Sequence, residues 1–283
     1  MTFFNSKLLI LKILLGVFVF LVISLSAYMF LRTPSNDRDW NPDQAILAEA
    51  IFNGDKVTVK NIRNNKYRTV DDFDVRYYDK TFDLNKIKKV YYVVEPFSAI
   101  AGPAHTFLTF EFEGDDYLSI SIEIRKRKGE VFNELLSAIN YYELMYVVAD
   151  ENDVVKLRSN YRHDMVFMYP MKAEIEDVRA LFTNMLKRAN KLAKEPEFYN
   201  LFYNTCTTNI VDHVNELRVK APQIPYGLSI WLPAYSDTLA FNLGLIDTDL
   251  AIEHARIRYF INQRAEKYAD HPNFSKLIRD TNK

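Results

Sequence analysis

The sequence is constrained most strongly by a long apolar segment close to its N-terminus. Residues 13–31 carry no charged side chain, and Leu8–Leu11 extend the apolar run across Lys12. A helix of about 20 residues, rising about 1.5 Å each, spans the roughly 30 Å hydrocarbon core of a bilayer. We therefore predict an N-terminal transmembrane anchor over residues 1–32, followed by one domain over residues 33–283 that begins with a polar stalk.

The charges that flank this segment predict its orientation. Lys7 and Lys12 lie on the N-terminal side with no acidic residue near them, whereas Arg32 and Arg38 beyond the segment are offset by nearby aspartates. Because positively charged flanks stay in the cytoplasm, the N-terminus is expected inside and the domain outside. This orientation predicts a single pass through the inner (cytoplasmic) membrane.

A cleaved signal peptide is the competing interpretation of the same segment. Ser24, Ser26 and Ala27 have the small side chains that a cleavage site requires. The apolar run is long for a signal peptide and continues through residues 28–31, which favours an uncleaved anchor.

Composition limits the class of partner and the class of chemistry. The 36 basic and 37 acidic residues leave a net charge of -1, so the concentrated basic face that nucleic acid requires is not expected. Hydrophobic residues make up 48% of the chain, which is enough to bury a core. The single cysteine excludes an internal disulfide, and the scattered histidines give no metal-ligand spacing, so no metal or other cofactor is expected.

Alternating apolar and polar residues predict a mainly antiparallel sheet. The clearest signal is a hairpin, in which residues 106–112 and 117–124 alternate on either side of turn residues 113–116. Further strands are predicted over residues 56–62, 74–78, 90–94, 143–148 and 164–169.

Helical periodicity dominates the second half of the chain. Residues 173–193 place apolar side chains at spacings of three and four, as in an amphipathic helix. Shorter helices are predicted over residues 43–52, 131–140 and 205–217, and a last long helix over residues 249–268. Helices packed against an antiparallel sheet make the expected fold class α+β.

The lone cysteine, Cys206, lies at the predicted start of a helix. Asn204 or Thr205 is a suitable N-cap, and Cys206 shares a helical face with Ile210, so its side chain is expected to point towards the sheet. Unpaired N–H groups and the positive end of the helix dipole favour a thiolate in a first turn. The alternative is a small, inert residue buried at a helix start.

A cysteine nucleophile requires a base close in space, and His105 is the best candidate among five histidines. It follows Gly102-Pro103-Ala104 and opens the first strand of the hairpin. His213 is seven residues along the helix of Cys206, about 10 Å away by helical rise, which is too far for proton transfer. The other three histidines are expected at the surface, and an ordinary strand residue is the alternative for His105.

A third group is needed to orient the imidazole, and the second strand of the hairpin offers Glu123. A tight turn places Glu123 on the same face as His105 and Phe107. The alternative for Glu123 is a surface ion pair with Arg125 or Lys126.

Several segments resemble a known family, that of the N-terminal periplasmic domain of the Lnb lipoprotein N-acyltransferase. The resemblance covers roughly Trp40 to Arg279, and its most specific part is the block Asn204-Thr205-Cys206-Thr207-Thr208-Asn209. The other segments that carry it are Ala104–Phe107, Ser119–Arg125, Tyr146–Arg158, Tyr199–Tyr203, Leu232–Asp237 and Leu243–Asp247. The family is similar to circularly permuted, NlpC-type papain-like thiol enzymes, in which the histidine precedes the cysteine.

The resemblance implies a periplasmic acyltransferase with Cys206 as nucleophile, His105 as base and Glu123 as the group that orients it. An acyl chain is expected to pass from a membrane phospholipid through a Cys206 thioester to an amine, such as the N-terminus of a lipoprotein. The Cys206 backbone N–H is expected to stabilise the oxyanion, with Asn204 and Tyr203 as candidates for a second donor. The aromatic residues Phe97, Phe107, Phe202 and Trp231 are candidates for an acyl groove, although core packing is the alternative for them.

Three other functions remain open from the sequence. A cysteine peptidase or amidase acting on cell-wall peptides has the same dyad, and a lipid hydrolase forms the same thioester. A non-catalytic envelope protein is the third, and it requires nothing of the Cys206 thiol. The sequence leaves the acyl acceptor and the oligomeric state undetermined.

Overall fold

The N-terminal apolar segment forms one helix, α1 (Thr2–Leu31), in the computed structural model, which describes residues 2–97 and 101–281 and, for residues 2–7, the backbone alone. The stretch Leu8–Leu31 is long and apolar enough to cross a membrane, and none of it is buried against the rest of the chain. The first residue of the predicted anchor and the last two of the predicted domain lie outside the described residues.

The remaining chain forms ten strands and nine further helices within the described residues. The strands are β1 (Glu49–Asn53), β2 (Lys56–Arg63), β3 (Lys66–Tyr67), β4 (Phe73–Asp74), β5 (Tyr77–Asp83), β6 (Ile87–Pro96), β7 (Ala104–Phe112), β8 (Asp116–Arg125), β9 (Glu143–Ala149) and β10 (Phe167–Pro170). The helices are α2 (Glu134–Ser137), α3 (Glu151–Lys156), α4 (Ile175–Lys194), α5 (Cys206–Leu217), α6 (Leu228–Trp231), α7 (Ser236–Asn242), α8 (Ile252–Tyr259), α9 (Asn262–Lys267) and α10 (Phe274–Leu277).

One mainly antiparallel sheet organises these elements, with strand order β1-β2-β9-β8-β7-β6-β10 and β5 paired to β2. The predicted hairpin is β7–β8, which pairs Phe107 with Ser121 and turns through Gly114 and Asp115, both at positive φ. Strands β2 and β9 meet in parallel at one residue pair. The expected α+β class is confirmed as a sheet packed with helices.

Helices cover both faces of the sheet, and the residues of β7 divide between them. On one face, called the α5 face, Leu108 and Phe110 pack into a core with α4 and α5. On the other, called the α3 face, Phe107 packs into a second core with α3, α9 and α10. Because side chains alternate along a strand, Thr106 lies on the α5 face and His105 on the α3 face.

Three predicted helices differ from the structure, and the one predicted over 131–140 is shortened to α2 (Glu134–Ser137). Residues 43–52 were expected to be helical, but they form the end of a short 3-10 turn followed by β1. The cause is Asn53-Gly54, a strong hairpin signal, with Gly54 at φ 58, which pairs β1 with β2. The predicted long helix over 249–268 is interrupted between α8 and α9, where Phe260 bridges to β10 and Ile261 is buried.

Buried ion pairs join α3 and the turn after it to the α3 face of the sheet. A π-helical turn, Leu157–Tyr161, follows α3 and carries Arg158. The Arg158 guanidinium donates to Glu95 of β6 at 2.6 Å and to Glu123 of β8 at 2.9 Å. Arg63 of β2 binds Asp153 of α3 in the same buried layer. Each buried charge therefore depends on a partner from another element.

Replacing Arg158 with Met is expected to destabilise the domain by about 3–5 kcal/mol, because it leaves two buried carboxylates without their cation. Thermal unfolding of the detergent-solubilised chain, followed by circular dichroism, measures the effect. The matched control is Arg68→Met, which breaks an exposed ion pair with Asp72 and is expected to leave the transition almost unchanged. Equal effects of the two substitutions would contradict the structural role given to Arg158.

Candidate active site around Cys206

Cys206 is the first residue of α5, as the sequence predicted for a helix start. Thr205 is the N-cap, and its hydroxyl accepts from the backbone N–H of Thr208, while the Thr208 hydroxyl accepts from the Thr205 N–H. This reciprocal capping box fixes the direction in which the helix begins. Cys206 is 4% exposed and belongs to the core on the α5 face.

Hydroxyl groups surround the thiol. Its Sγ lies 3.7 Å from the Thr207 hydroxyl, which in turn is 2.9 Å from the hydroxyl of Thr106 on β7. Burial, with the neighbouring Cys206, raises the pKa of Tyr199 well above its usual range, although the Cys206 backbone hydrogen-bonds its hydroxyl. The site therefore offers neutral donors and acceptors near the sulfur.

Tyr92 and Ser236 extend this group of hydroxyls. The Ser236 hydroxyl donates to the Pro233 carbonyl, so the Tyr92 hydroxyl donates to Ser236 at 2.7 Å. Burial, together with the nearby Cys206 and Asp237, keeps the pKa of Tyr92 above its ordinary value. The Tyr92 phenol is consequently a neutral hydrogen-bond donor at the Cys206 end of α5.

A mainly apolar cavity of about 150 Å³ lies along α5 and is lined by Thr207, but Cys206 itself is not part of its wall. Its wall includes Thr207, the neighbour of Cys206, and the hydroxyl-bearing residues Tyr92 and Ser236. The rest of the wall is mainly aliphatic and includes Leu108, Leu181, Ile210, Val214 and Leu239; the charged residues Lys172, Asp177 and Arg218 also line it. An apolar cavity of this size accepts a ligand about as large as benzene.

His105 lies on the α3 face, in contact with the second strand of the hairpin. Its Nε2 is 2.7 Å from the Ser121 hydroxyl, and that hydroxyl donates to Glu123 at 2.8 Å. Because the single hydroxyl hydrogen is directed at Glu123, Nε2 of His105 carries the proton and donates to Ser121. The imidazole ring also stacks on Phe107.

The charges around His105 keep it neutral. Burial and the adjacent Arg158 lower the pKa of His105 to about 3, against the smaller opposing effect of Glu123. Burial disfavours the charged form of Glu123 as well, but the cations Arg158 and Arg63 outweigh it and hold the Glu123 pKa far below its usual range. Glu123 lies beside His105, as predicted: its Oε1 is 4.0 Å from Nε2 of His105, and the Ser121 hydroxyl lies between the two side chains.

The structure does not bring His105 and Cys206 together. His105 belongs to the α3 face and Cys206 to the core of the α5 face, so the backbone of the sheet separates them. No hydrogen bond joins the two side chains in the described part of the chain. The residue of β7 that faces α5 is Thr106. The assignment of His105 as base thus stays a prediction of the family resemblance.

The two candidates for a second oxyanion donor have other partners. The amide nitrogen of Asn204 donates to the Phe198 carbonyl, and its oxygen accepts from Asn209. Tyr203 is 61% exposed, and its hydroxyl donates to Asn140. In this arrangement neither side chain has a free donor directed at Cys206.

Of the other histidines, His213 shares the α5 side of the sheet with Cys206. Its Nε2 lies 2.9 Å from the Tyr146 hydroxyl, its Nδ1 is buried without a partner, and burial lowers its pKa to about 4. Seven residues along α5 it remains about 10 Å from Cys206 by helical rise. His163, His254 and His271 are exposed, as the sequence predicted.

Sequence reasoning missed the hydroxyl-bearing residues of the site, which are Tyr92, Thr106, Tyr199 and Ser236. The strand alternation of β6 and β7 placed Tyr92 and Thr106 on one face, but nothing in the pattern indicated that this face packs against α5. Tyr199 lies in a loop and Ser236 is the first residue of the short helix α7, so no periodicity predicts their orientation.

Comparison with known proteins gives one family. The family model described as the Lnb N-terminal periplasmic domain matches residues 73–234, a range that contains His105, Glu123 and Cys206. No curated protein and no solved structure matches the chain.

The neutral, buried state of His105 predicts a pH dependence of stability. The unfolded chain binds a proton on His105 near its ordinary pKa of 6.5, whereas the folded chain binds it only near about 3. Stability is therefore greatest above the unfolded pKa and falls as the pH drops below it, by up to about 1.4 kcal/mol per pH unit from this group.

His105→Gln removes the group that binds this proton and retains a donor for Ser121. The free energy of unfolding is therefore expected to fall less steeply as the pH is lowered. Chemical denaturation across the acidic range measures the slope, and His254→Gln at an exposed position of α8 is the matched control. A slope that does not change in His105→Gln would show that His105 is accessible to protons in the folded chain.

Proposed function

The chain belongs to the family of the Lnb N-terminal periplasmic domain, and from this membership we propose that it is a membrane-anchored cysteine acyltransferase. The family and the apolar helix α1 together indicate a single-pass membrane protein with a periplasmic domain. The proposal adds that this domain has a permuted papain-like, NlpC-type arrangement, in which the strand of His105 precedes the helix of Cys206. It also adds that α1 crosses the inner membrane with its N-terminus in the cytoplasm.

The observation that supports acyl transfer best is the mainly apolar cavity along α5. Thr207, next to the proposed nucleophile, lines this cavity, and its mainly aliphatic wall suits a short part of an acyl chain. The position of Cys206 at the first turn of α5 supplies backbone N–H groups and the positive end of the helix dipole.

The proposed reaction has two steps through Cys206. The thiolate attacks the ester carbonyl carbon of a phospholipid, the ester C–O bond breaks, and the lysophospholipid leaves after taking up a proton. The acyl group is then held as a thioester on Sγ. In the second step an amine attacks the thioester carbonyl, an amide forms, the amine loses a proton, and the thiolate is released. The acceptor we propose is the N-terminus of a lipoprotein.

Stabilisation of the oxyanion is assigned to groups at the start of α5. The Cys206 backbone N–H is the predicted first donor, and the neutral hydroxyls of Tyr199 and Tyr92 are near the same end of the helix. Neutral donors in a water-poor site stabilise a developing oxyanion strongly, because little reorganisation is needed. Tyr199 replaces Asn204 and Tyr203 as the candidate for the second donor, because its hydroxyl accepts from the Cys206 backbone and keeps its own hydrogen, whereas the Tyr92 hydroxyl already donates to Ser236.

The resemblance assigns to His105 the role of the base that accepts the proton of the Cys206 thiol. For His105 to act directly, its side chain would have to leave Ser121 and reach the α5 face of the sheet. Glu123 would then lose its role as orienting group, because it is held on the α3 face by Arg158. Substitution of His105 therefore tests the base separately from the nucleophile.

The first test is formation of the acyl-enzyme. We expect the full chain, incubated with phospholipid vesicles, to carry a hydroxylamine-labile acyl group on the peptide that contains Cys206, measured by mass spectrometry. Cys206→Ser is the matched control and is expected to yield no labile adduct. An unmodified Cys206 in a chain whose thiol still reacts with iodoacetamide would overturn the lipid thioester.

Two further experiments distinguish acyl transfer from lipid hydrolysis and test the role of His105. Addition of a synthetic peptide with a diacylglyceryl N-terminal cysteine is expected to give the N-acylated peptide, whereas release of free fatty acid in its presence would identify a lipid hydrolase. In His105→Gln the geometry predicts that the adduct still forms. Its loss in a folded variant would show that the imidazole reaches the thiol during catalysis.

Filling the cavity is expected to change the preferred acyl length. Val214 is partly buried on α5 and lines the cavity, so Val214→Phe places a ring in the space proposed for the chain. Adduct formation from long-chain phospholipids should fall while that from short-chain phospholipids persists. The ratio of the two adducts, measured by mass spectrometry, would be unchanged if the acyl chain lies elsewhere.

A further inference from the structure

Six large apolar side chains form an exposed surface beside the start of α5. Val131 and Leu135 come from the segment before β9, Phe202 and Tyr203 from the loop that leads into Cys206, and Leu228 and Trp231 from α6. Each is between 52% and 84% exposed. Scattered apolar residues are normal at a surface, but a contiguous group of this size marks an interaction site.

Hydrogen bonds join the three segments into one surface. The backbone N–H of Leu201 donates to Ser137 of α2, and the Tyr203 hydroxyl donates to Asn140. The Trp231 indole donates to the Phe202 carbonyl at 3.2 Å. The exposed side chains are therefore carried by backbone that is fixed relative to the domain.

This surface is continuous with the point at which the anchor meets the domain. Arg32, directly after α1, stacks on Tyr141 at 5.0 Å and donates to the Tyr141 carbonyl. The adjacent Tyr142 contacts Phe132 and donates from its hydroxyl to the Val131 carbonyl. The end of the membrane helix is thus tied to the same segment that presents Val131 and Leu135.

Basic and acidic side chains both flank this surface. Lys128 is exposed, stands three residues before Val131, and has no side-chain partner in the described part of the chain. Arg127 stacks on Tyr141 at 5.4 Å and also pairs with Glu130 at 3.7 Å, and Glu134, beside Leu135, is exposed. Basic residues beside aromatic and aliphatic side chains are typical of a membrane interface, where the cations contact lipid phosphate and the rings lie at headgroup level.

We propose that the surface formed by Val131, Leu135, Phe202, Tyr203, Leu228 and Trp231 docks on the outer face of the membrane that α1 crosses. The domain then lies on the bilayer with the residue 200–204 loop, and hence the entrance towards Cys206, at the lipid headgroups. This inference concerns how the domain contacts lipid and does not require that Cys206 transfers an acyl chain.

The chain contains two tryptophans, which makes the proposal measurable by fluorescence. Trp40 is 7% exposed and stacks with Arg125, whereas Trp231 belongs to the proposed surface. In Trp40→Phe the emission comes from Trp231 alone, and in Trp231→Phe it comes from Trp40 alone. The full chain carrying either substitution is reconstituted in vesicles of phosphatidylethanolamine and phosphatidylglycerol with brominated acyl chains.

We expect brominated lipid to quench Trp231 strongly and Trp40 little, and Trp231 to be shielded from aqueous acrylamide. Quenching of Trp231 by acrylamide and not by brominated lipid would show a surface free in water and overturn the proposal. Shielding from acrylamide without quenching by brominated lipid would indicate a protein partner and would also overturn it. Either result leaves the acyl-enzyme test unaffected, so the two hypotheses fail independently.

A matched pair of charge substitutions locates the contact. In the Trp40→Phe background, Leu135→Glu places a charge in the proposed surface and is expected to reduce quenching of Trp231 by brominated lipid. Ile257→Glu is the control, because Ile257 is similarly exposed but lies on α8, against β10 at the far end of the sheet. Circular dichroism checks that both variants are folded. An equal effect of the two substitutions would contradict a specific docking surface.

Discussion

The contact on which the α3 face depends is that of the Arg158 guanidinium with Glu95 and Glu123. These carboxylates come from β6 and β8, the two neighbours of β7, so one cation holds three adjacent strands at the level of His105. Burial alone would make both carboxylates costly, and it raises the pKa of Glu95 to about 7 despite Arg158. The network thereby fixes the imidazole against Ser121 and keeps it neutral.

The two faces of the sheet consequently have different chemistry. The α3 face near His105 is a layer of paired charges, whereas the α5 face near Cys206 has neutral hydroxyls and an aliphatic cavity. A shift of one residue along β7 would exchange these environments, because successive side chains point to opposite faces. Which of His105 and Thr106 points to the α5 face therefore decides which side chain lies on the side of the thiol, and in this structure it is Thr106.

The sequence could not predict which face of the sheet each β7 side chain shares with α5. The hairpin, the pairing that brings Glu123 near His105, and the start of α5 at Cys206 followed from turn residues, strand alternation and capping. Both faces of β7 are buried, however, so Phe107 and Leu108 are equally apolar and no polar face indicates which side receives α5. Tyr199 approaches Cys206 from a loop, and Ser236 binds Tyr92 from the first residue of the short helix α7. The short β1 strand was mistaken for a helix because the Asn53-Gly54 turn was overlooked.

Under the proposed function, the burial of Cys206 bears on whether the acyl group is transferred or hydrolysed. A thioester on a residue that is 4% exposed would be protected from water as long as the acceptor enters without opening the site to solvent. A lipid acceptor can do so if the entrance lies on the bilayer, since it approaches through headgroups rather than through bulk water. The loop that joins Phe202 and Tyr203 to Cys206 is where such an entrance is expected. Docking of the domain on lipid would then favour transfer by limiting the water available to the acyl-enzyme.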